Sequence, residues 1–285
     1  MLFTQAIIEH SVIIFLCSIS IVVLAVALRR KPPRRVWKEC PILCCLLLDT
    51  LIYASANILI SVEWVLVVID VIPNQPEYTG ILHFSRVAVF IAAWFYDSAS
   101  AGVLAQRICY LVFPWKPART YSFKIVVISF VLPSICVSVS TALNLFTAPL
   151  HSVPFPSGCM SLNCMTSHTQ LIHLLGTTIK MFFSVVICSL GIAFNVLLAR
   201  HQTVFNTGSN QKLNSFTRHV SFLRILLEFL PFTADIVLSG FGIRLSLLIG
   251  PFGAMASSTD FCVSSLLYYN FVTKTAKQVV SENPS

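Results

Sequence analysis

With 56% hydrophobic and only 11% charged side chains over 285 residues, the chain carries more apolar surface than a soluble core of this size can hide. Its formal charge of +8 would suit nucleic acid in a soluble protein, but here the Lys and Arg sit in short segments between apolar runs, which is the pattern of membrane topology. Most of the ten cysteines lie inside those runs, where a thiol acts as a small hydrophobe, so composition also excludes a secreted disulfide framework.

A crossing helix needs about 20 apolar residues, because lipid satisfies no backbone polar group. On that rule the sequence predicts an all-α membrane protein, a bundle of seven transmembrane helices. Ile7–Leu28 is too long for a cleaved signal and its basic cluster follows it, which predicts an anchor with the N-terminus outside. The second span is Pro41–Val62, and Glu63 and Asp70 predict that the chain surfaces there, leaving Trp64–Ile69 as an apolar loop on the outer leaflet. Ile81–Leu104, Phe123–Leu145, Leu171–Ala199, Val220–Gly240 and Leu245–Tyr269 complete one domain over residues 1–270, followed by a short cytoplasmic tail, 271–285. The segment Thr203–Asn214 is polar and is predicted as a mobile loop. No internal repeat of the kind common in transporters is visible.

The basic residues orient the bundle. The first inside loop holds Arg29, Arg30, Lys31, Arg34, Arg35 and Lys38; the second Arg107, Lys116, Arg119 and Lys124; the third Arg200, Lys212, Arg218 and Arg224; the tail Lys274 and Lys277. Only Arg86, Lys180 and Arg244 of the nineteen fall elsewhere, and such one-sidedness needs an odd number of spans.

Charges within the spans each cost at least about 2.5–3.5 kcal/mol at mid-bilayer, so each needs a partner or a wet cavity. Asp49 lies roughly 16 Å up the second span from Lys38. It reads either as part of a cation site shared with Asp260 or as a polar core group satisfied by Asn57 or a serine. Arg86 and Asp97 are eleven residues apart and share a helix face, with Trp94 and Tyr96 beside Asp97. With Lys180 and Asp235 these line a candidate ligand pocket. The basic members point to an anionic ligand group; the alternative is internal pairing of Lys180 with Asp97 or Asp235 and of Arg86 with Glu77. Arg224 and Glu228 are four apart and can pair along the sixth span, which Pro231 should kink, as a moving hinge or as a static bend.

Cys159 and Cys164 alone fall in an outside loop, where a small disulfide ring is chemically allowed. His168 and His173 are five apart, the wrong spacing for a helical metal pair. No Ser-His-Asp or His-Glu-X-X-His pattern is present, so neither an enzyme, a metal nor a cofactor is expected.

The segment Gln106-Arg107-Ile108-Cys109-Tyr110-Leu111-Val112-Phe113-Pro114 closes the third span. It reads as plain topology or as a signalling face, and it resembles the acid-Arg-(X)n-Pro signature of seven-helix G-protein-coupled receptors, with Gln106 in place of the acid. Pro156-Ser-Gly-Cys159, the run Arg224 to Phe232, Ile249-Gly-Pro-Phe-Gly253 and Tyr268-Tyr269 narrow the likeness to the nematode serpentine chemoreceptors, most like the class BC branch. The resemblance implies a small-molecule ligand outside and a heterotrimeric G protein inside, met by Arg107, Pro114, Lys116 and Arg119. It also implies a place in the cell membrane of a sensory cilium, and it matches Asp49 to the sodium-binding acid of rhodopsin-like receptors. Two departures stand out: no cysteine ends the third span outside, and no Asn-Pro-X-X-Tyr motif ends the seventh. The runner-up expectation is a small-solute transporter or channel with Asp49, Asp97, Lys180 and Asp260 along its path.

Overall fold

The computed structural model describes residues 2–72, 76–115, 119–147, 170–200, 208–241 and 252–282, and their regular structure is entirely helical. In chain order the helices are α1 (Leu2–Arg30), α2 (Pro33–Glu39), α3 (Pro41–Val68), α4 (Pro76–Val112), α5 (Arg119–Thr147), α6 (Gln170–Arg200), α7 (Gly208–Arg224), a π-helical turn (Ile225–Phe229), α8 (Leu230–Gly240) and α9 (Phe252–Glu282). Among the described residues five helices are long and apolar enough to cross a membrane, namely α1, α3, α4, α5 and α6, so this is a membrane-embedded helical protein. The path from Gly208 to Gly240 is also helical throughout, but the π turn divides it into short α segments. Helix α9 carries Ser257, Ser258, Thr259, Asp260, Ser264 and Ser265 along its middle, which lowers its apolar character.

The inward stripe of α1 shows why these segments pack as they do. Ala6, His10, Ile13, Cys17, Ser20, Leu24 and Ala27, spaced alternately by three and four, are buried, whereas Ile8, Phe15 and Val22 face outward. Apart from Ile13 and Leu24 the inward residues are small or polar, and Cys17 and Ser20 bring α9 close. Ser20 Oγ donates to the Phe261 carbonyl at 3.1 Å and lies 2.8 Å from Ser265 Oγ, and Cys17 Sγ donates to Ser258 Oγ at 3.2 Å. The outward residues are aliphatic and aromatic, as a lipid-facing surface requires.

Helix α1 packs against α3 and α9; α4 is central, touching α3, α5, α6 and α7; α6 packs on α7, and α7 on α9, which closes the ring. Three rings lock its middle: Tyr53, Tyr96 and Phe261 meet edge to face with centroids 4.7–5.8 Å apart. At the basic end Arg30 donates to Thr273 Oγ1 at 3.0 Å and stacks over Tyr269. On the same end, Gly102 is where α4 approaches α3 and α5. A Cβ there would lie 2.5 Å from Ser129 Oγ and 2.8 Å from Ile42 Cγ1. Gly102→Ala is therefore expected to destabilise by about 1–3 kcal/mol, read as a lower Tm of the purified protein; an unchanged Tm would mean the three helices are less closely packed than this.

Several sequence expectations are corrected. Residues 64–68, expected in an apolar loop, continue α3 to Val68, and Glu63 is buried, its Oε1 accepting from Ser85 Oγ of α4 at 2.7 Å. The helix ends instead at Asp70, whose φ of 63° is left-handed. Its N–H bonds the Val67 carbonyl and that of Val71 bonds Leu66, the paired closure usually made with glycine. Helix α4 runs on past Leu104 to Val112, which takes Arg107 inside a helix. The polar segment predicted as a mobile loop is helical from Gly208, and the expected tail is helical to Glu282. Residues 33–39, expected as loop, form α2, entered through Pro32 in an extended conformation with Pro33 at the first helical position.

A buried ion cluster as the candidate functional site

Charged side chains from four parts of the chain meet in the middle of the bundle. Helix α4 contributes Asp97, with Tyr96 and Ser100 beside it. Helix α6 contributes Lys180, the α7–π segment Arg224 and Glu228, and α9 Asp260. Burial is nearly complete for all but Lys180, whose side chain is 14% exposed. Burying even one such charge costs several kcal/mol unless it is paired and hydrogen-bonded, and the geometry meets that demand.

Arg224 is the hub. Its Nη1 donates to Asp97 Oδ1 at 2.9 Å and to Glu228 Oε2, and its Nη2 donates to Ser100 Oγ at 2.7 Å. Its Nε lies 3.1 Å from Asp260 Oδ2, close enough for an ion pair but without the alignment of a hydrogen bond. The guanidinium plane stacks 4.0 Å over the Tyr96 ring, a use of this side chain that lysine could not copy. Lys180 Nζ sits 2.8 Å from Asp97 Oδ2 and 3.3 Å from Glu228 Oε1. Asp260 accepts from Tyr96 OH at 2.7 Å and from Ser264 Oγ at 3.3 Å. Three carboxylates thus share two cations, and every one of them is held by more than one donor.

The π turn helps to build this site. In an α-helix, residues four apart are offset by about 40°; a wider turn reduces the offset and brings Glu228 over Arg224. The Leu230 N–H reaches the Ile225 carbonyl, five residues back. The widened turn immediately precedes Pro231, whose ring would crowd the carbonyl four residues earlier. The predicted kink is therefore preceded by a local change of helix type.

Other expected site residues fall in different places. Arg224 was assigned by charge counting to an inside loop, but it is buried in the cluster because three acids surround it. Asp260 contacts Arg224, Tyr96 and Ser264, and no contact joins it to Asp49. Asp49 is 9% exposed and has no ion-pair or hydrogen-bond partner among the described residues; Asn57 does not serve it. Trp94 packs in an apolar group with Ile179 and Phe183. The side chains of Arg86, Arg119 and Asp235, and all of Lys116, Cys159 and Cys164, lie outside the described residues. Among the described residues no group of His, Cys, Asp and Glu is placed to hold a metal.

At the basic end, Arg107 is only 5% exposed and stacks on the Tyr110 ring at 5.0 Å, whereas Pro114 is exposed. Gln106, fully buried, does not pair with Arg107. Its Nε2 donates to Ser122 Oγ at 2.7 Å and its Oε1 accepts from Cys40 Sγ at 2.9 Å, a neutral bridge from α4 to α5 and to the start of α3. Burial pushes the Cys40 thiol up against the opposing pull of Arg107, which keeps the proton that this bond uses.

Sequence reasoning missed the union of Asp97, Lys180, Arg224, Glu228 and Asp260. The available signal was the requirement that charges inside spans find each other; which helix faces meet was not in the spacing. No protein-family model matches this chain, and no curated protein does.

Proposed function

We propose that the chain is a seven-helix chemosensory receptor, with α7 through α8 as the sixth span and α9 as the seventh, its N-terminus outside and its basic end in the cytoplasm. A small molecule binds in the outer half of the bundle, and the basic end, with Arg107, Pro114, Lys116 and Arg119, meets a heterotrimeric G protein. The observation that carries this reading is the ion cluster. It ties α4, α6, the α7–π segment and α9 together at mid-bundle, and its central residue sits on the segment with the π turn and Pro231. A ligand that shifts the outer part of that segment changes the cluster's geometry, and the shift is bounded by the ligand's difference in affinity for the two arrangements. The closed ring of helices around a central α4 supports a single bundle rather than two related halves.

The test is expression with a promiscuous G protein and a panel of small metabolites, comparing wild type with Arg107→Ala at matched surface density. A response in wild type that is lost in the variant is the expected result, because removing Arg107 leaves the Tyr110 ring and the inner end of α4 without their cation. Uptake of a solute without any G-protein response would instead support the transporter reading, which the buried charges also favour. Silence with neither activity, at good surface density, would leave the receptor reading without support.

A further inference from the structure

Helix α2 is short and sits where a membrane surface must be. It joins the end of α1 at Arg30 to the start of α3 at Pro41, and both of those helices are long and apolar enough to cross a bilayer. Val36 anchors it, 1% exposed against the bundle. At 100° per residue, Arg34 and Lys38 project about 160° from Val36, on the opposite side of the helix, with Trp37 flanking them. Arg34 and Lys38 are exposed, and Trp37 is 48% exposed.

Among the described residues these charges have no protein partner. The one acid in this segment, Glu39, is taken up on the other side of α2, 2.5 Å from Lys31 and 3.7 Å from Arg35. Among the described residues no carboxylate lies within ion-pair distance of Arg34, Lys38 or the exposed Arg29 at the end of α1. Like charges four residues apart on a helix repel, and a half-exposed tryptophan is a typical anchor at the headgroup level of a membrane. A surface of this kind, two unpaired cations and an indole held at the bilayer boundary, is complementary to an anionic headgroup.

We propose that the outer face of α2, formed by Arg34, Lys38 and Trp37, is a docking surface for an anionic phospholipid of the leaflet at the basic end. The lipid headgroup lies between the two cations and the indole settles beside its glycerol region. Only the membrane crossing of α1 and α3 is required, whatever the bundle signals.

The test uses the full-length protein purified into mixed micelles of phosphatidylserine and phosphatidylcholine at equal amounts, with retained lipid counted by native mass spectrometry. Each basic residue near an anionic surface contributes about fivefold in affinity. Arg34→Ala/Lys38→Ala is therefore expected to lower phosphatidylserine preference by roughly 25-fold, with Tm unchanged because both side chains are exposed. A control variant, Lys124→Ala/Arg218→Ala, removes two exposed charges elsewhere at the basic end and should keep the preference. Millimolar inorganic phosphate should not displace the lipid. The proposal is overturned if wild type shows no preference, if the α2 variant keeps it, if the control loses as much, or if free phosphate competes the lipid away.

Discussion

Arg224→Met is expected to prevent accumulation of the folded protein. The substitution leaves Asp97, Glu228 and Asp260 buried with only Lys180 to oppose them, and Lys180 contacts two of the three. Removing one partner from a buried ion pair typically costs about 3–5 kcal/mol, a loss comparable to the whole stability of many domains. In a purified sample this corresponds to a fall in Tm of about 6–20 °C for a chain of this length. Arg224→Lys should fall between the two. A single ammonium cannot reach Asp97, Glu228, Asp260 and Ser100 from one point, nor stack flat on Tyr96. The measurement is a thermal melt in detergent, followed by size-exclusion to count monodisperse protein. A Met variant that melts within a few degrees of wild type would mean that the acids reach water and that the cluster is not a buried unit.

That prediction rests on a site whose parts were visible and whose assembly was not. The apolar run that forms α1 is legible as a span, whereas its inward face, from Ala6 to Ala27, is set by packing against α3 and α9. The arginine–glutamate pair of the sixth span was local, since residues four apart on one helix must be neighbours. Lys180 meets Asp97, but spacing left Asp235 as an equal candidate. Asp260 was matched to Asp49 because both are acids in spans, yet the choice depends on which faces meet in the ring. Glu63 misled for a related reason. A charge at the end of an apolar run usually marks the surface, but here Ser85 from the next helix supplies a donor and the helix continues. Arg224 was counted with the inside loops because positive residues gather there, and nothing local said that three carboxylates would surround it. The π turn carried the weakest signal. Pro231 announces a distortion, but which turn absorbs it depends on packing against α6 and α9.

The cluster also limits what can bind in the middle of the bundle. Lys180 is one of the basic residues that the sequence offers for an anionic ligand group. Its ammonium is now committed to Asp97 and Glu228, so a ligand carboxylate would have to displace one of them. Trp94, close above Asp97 on α4, sits among Ile179, Phe183 and the partly buried Leu132 and Leu175. Trp94, Ile179 and Phe183 are all buried against one another, so this part of the bundle is packed core.

The same charge count decides a paired substitution. Lys180→Met alone leaves three carboxylates facing one guanidinium and is expected to cost about 3–5 kcal/mol. Glu228→Gln alone leaves two acids and two bases, and the amide keeps one oxygen for Arg224 or Lys180 while its NH2 faces the other cation, so its cost should be smaller than that of losing Lys180, about 1–3 kcal/mol. In the double variant Arg224 faces Asp97 and Asp260 only, and the formal balance returns to that of the native cluster. The second change should therefore recover part of the first, with a coupling of about 1–3 kcal/mol between two residues in contact. Thermal melts of the four proteins, wild type included, measure the coupling directly. If the two losses simply add, Lys180 and Glu228 are stabilised by separate surroundings. If the double variant is more stable than Lys180→Met, the cluster is one electrostatic unit.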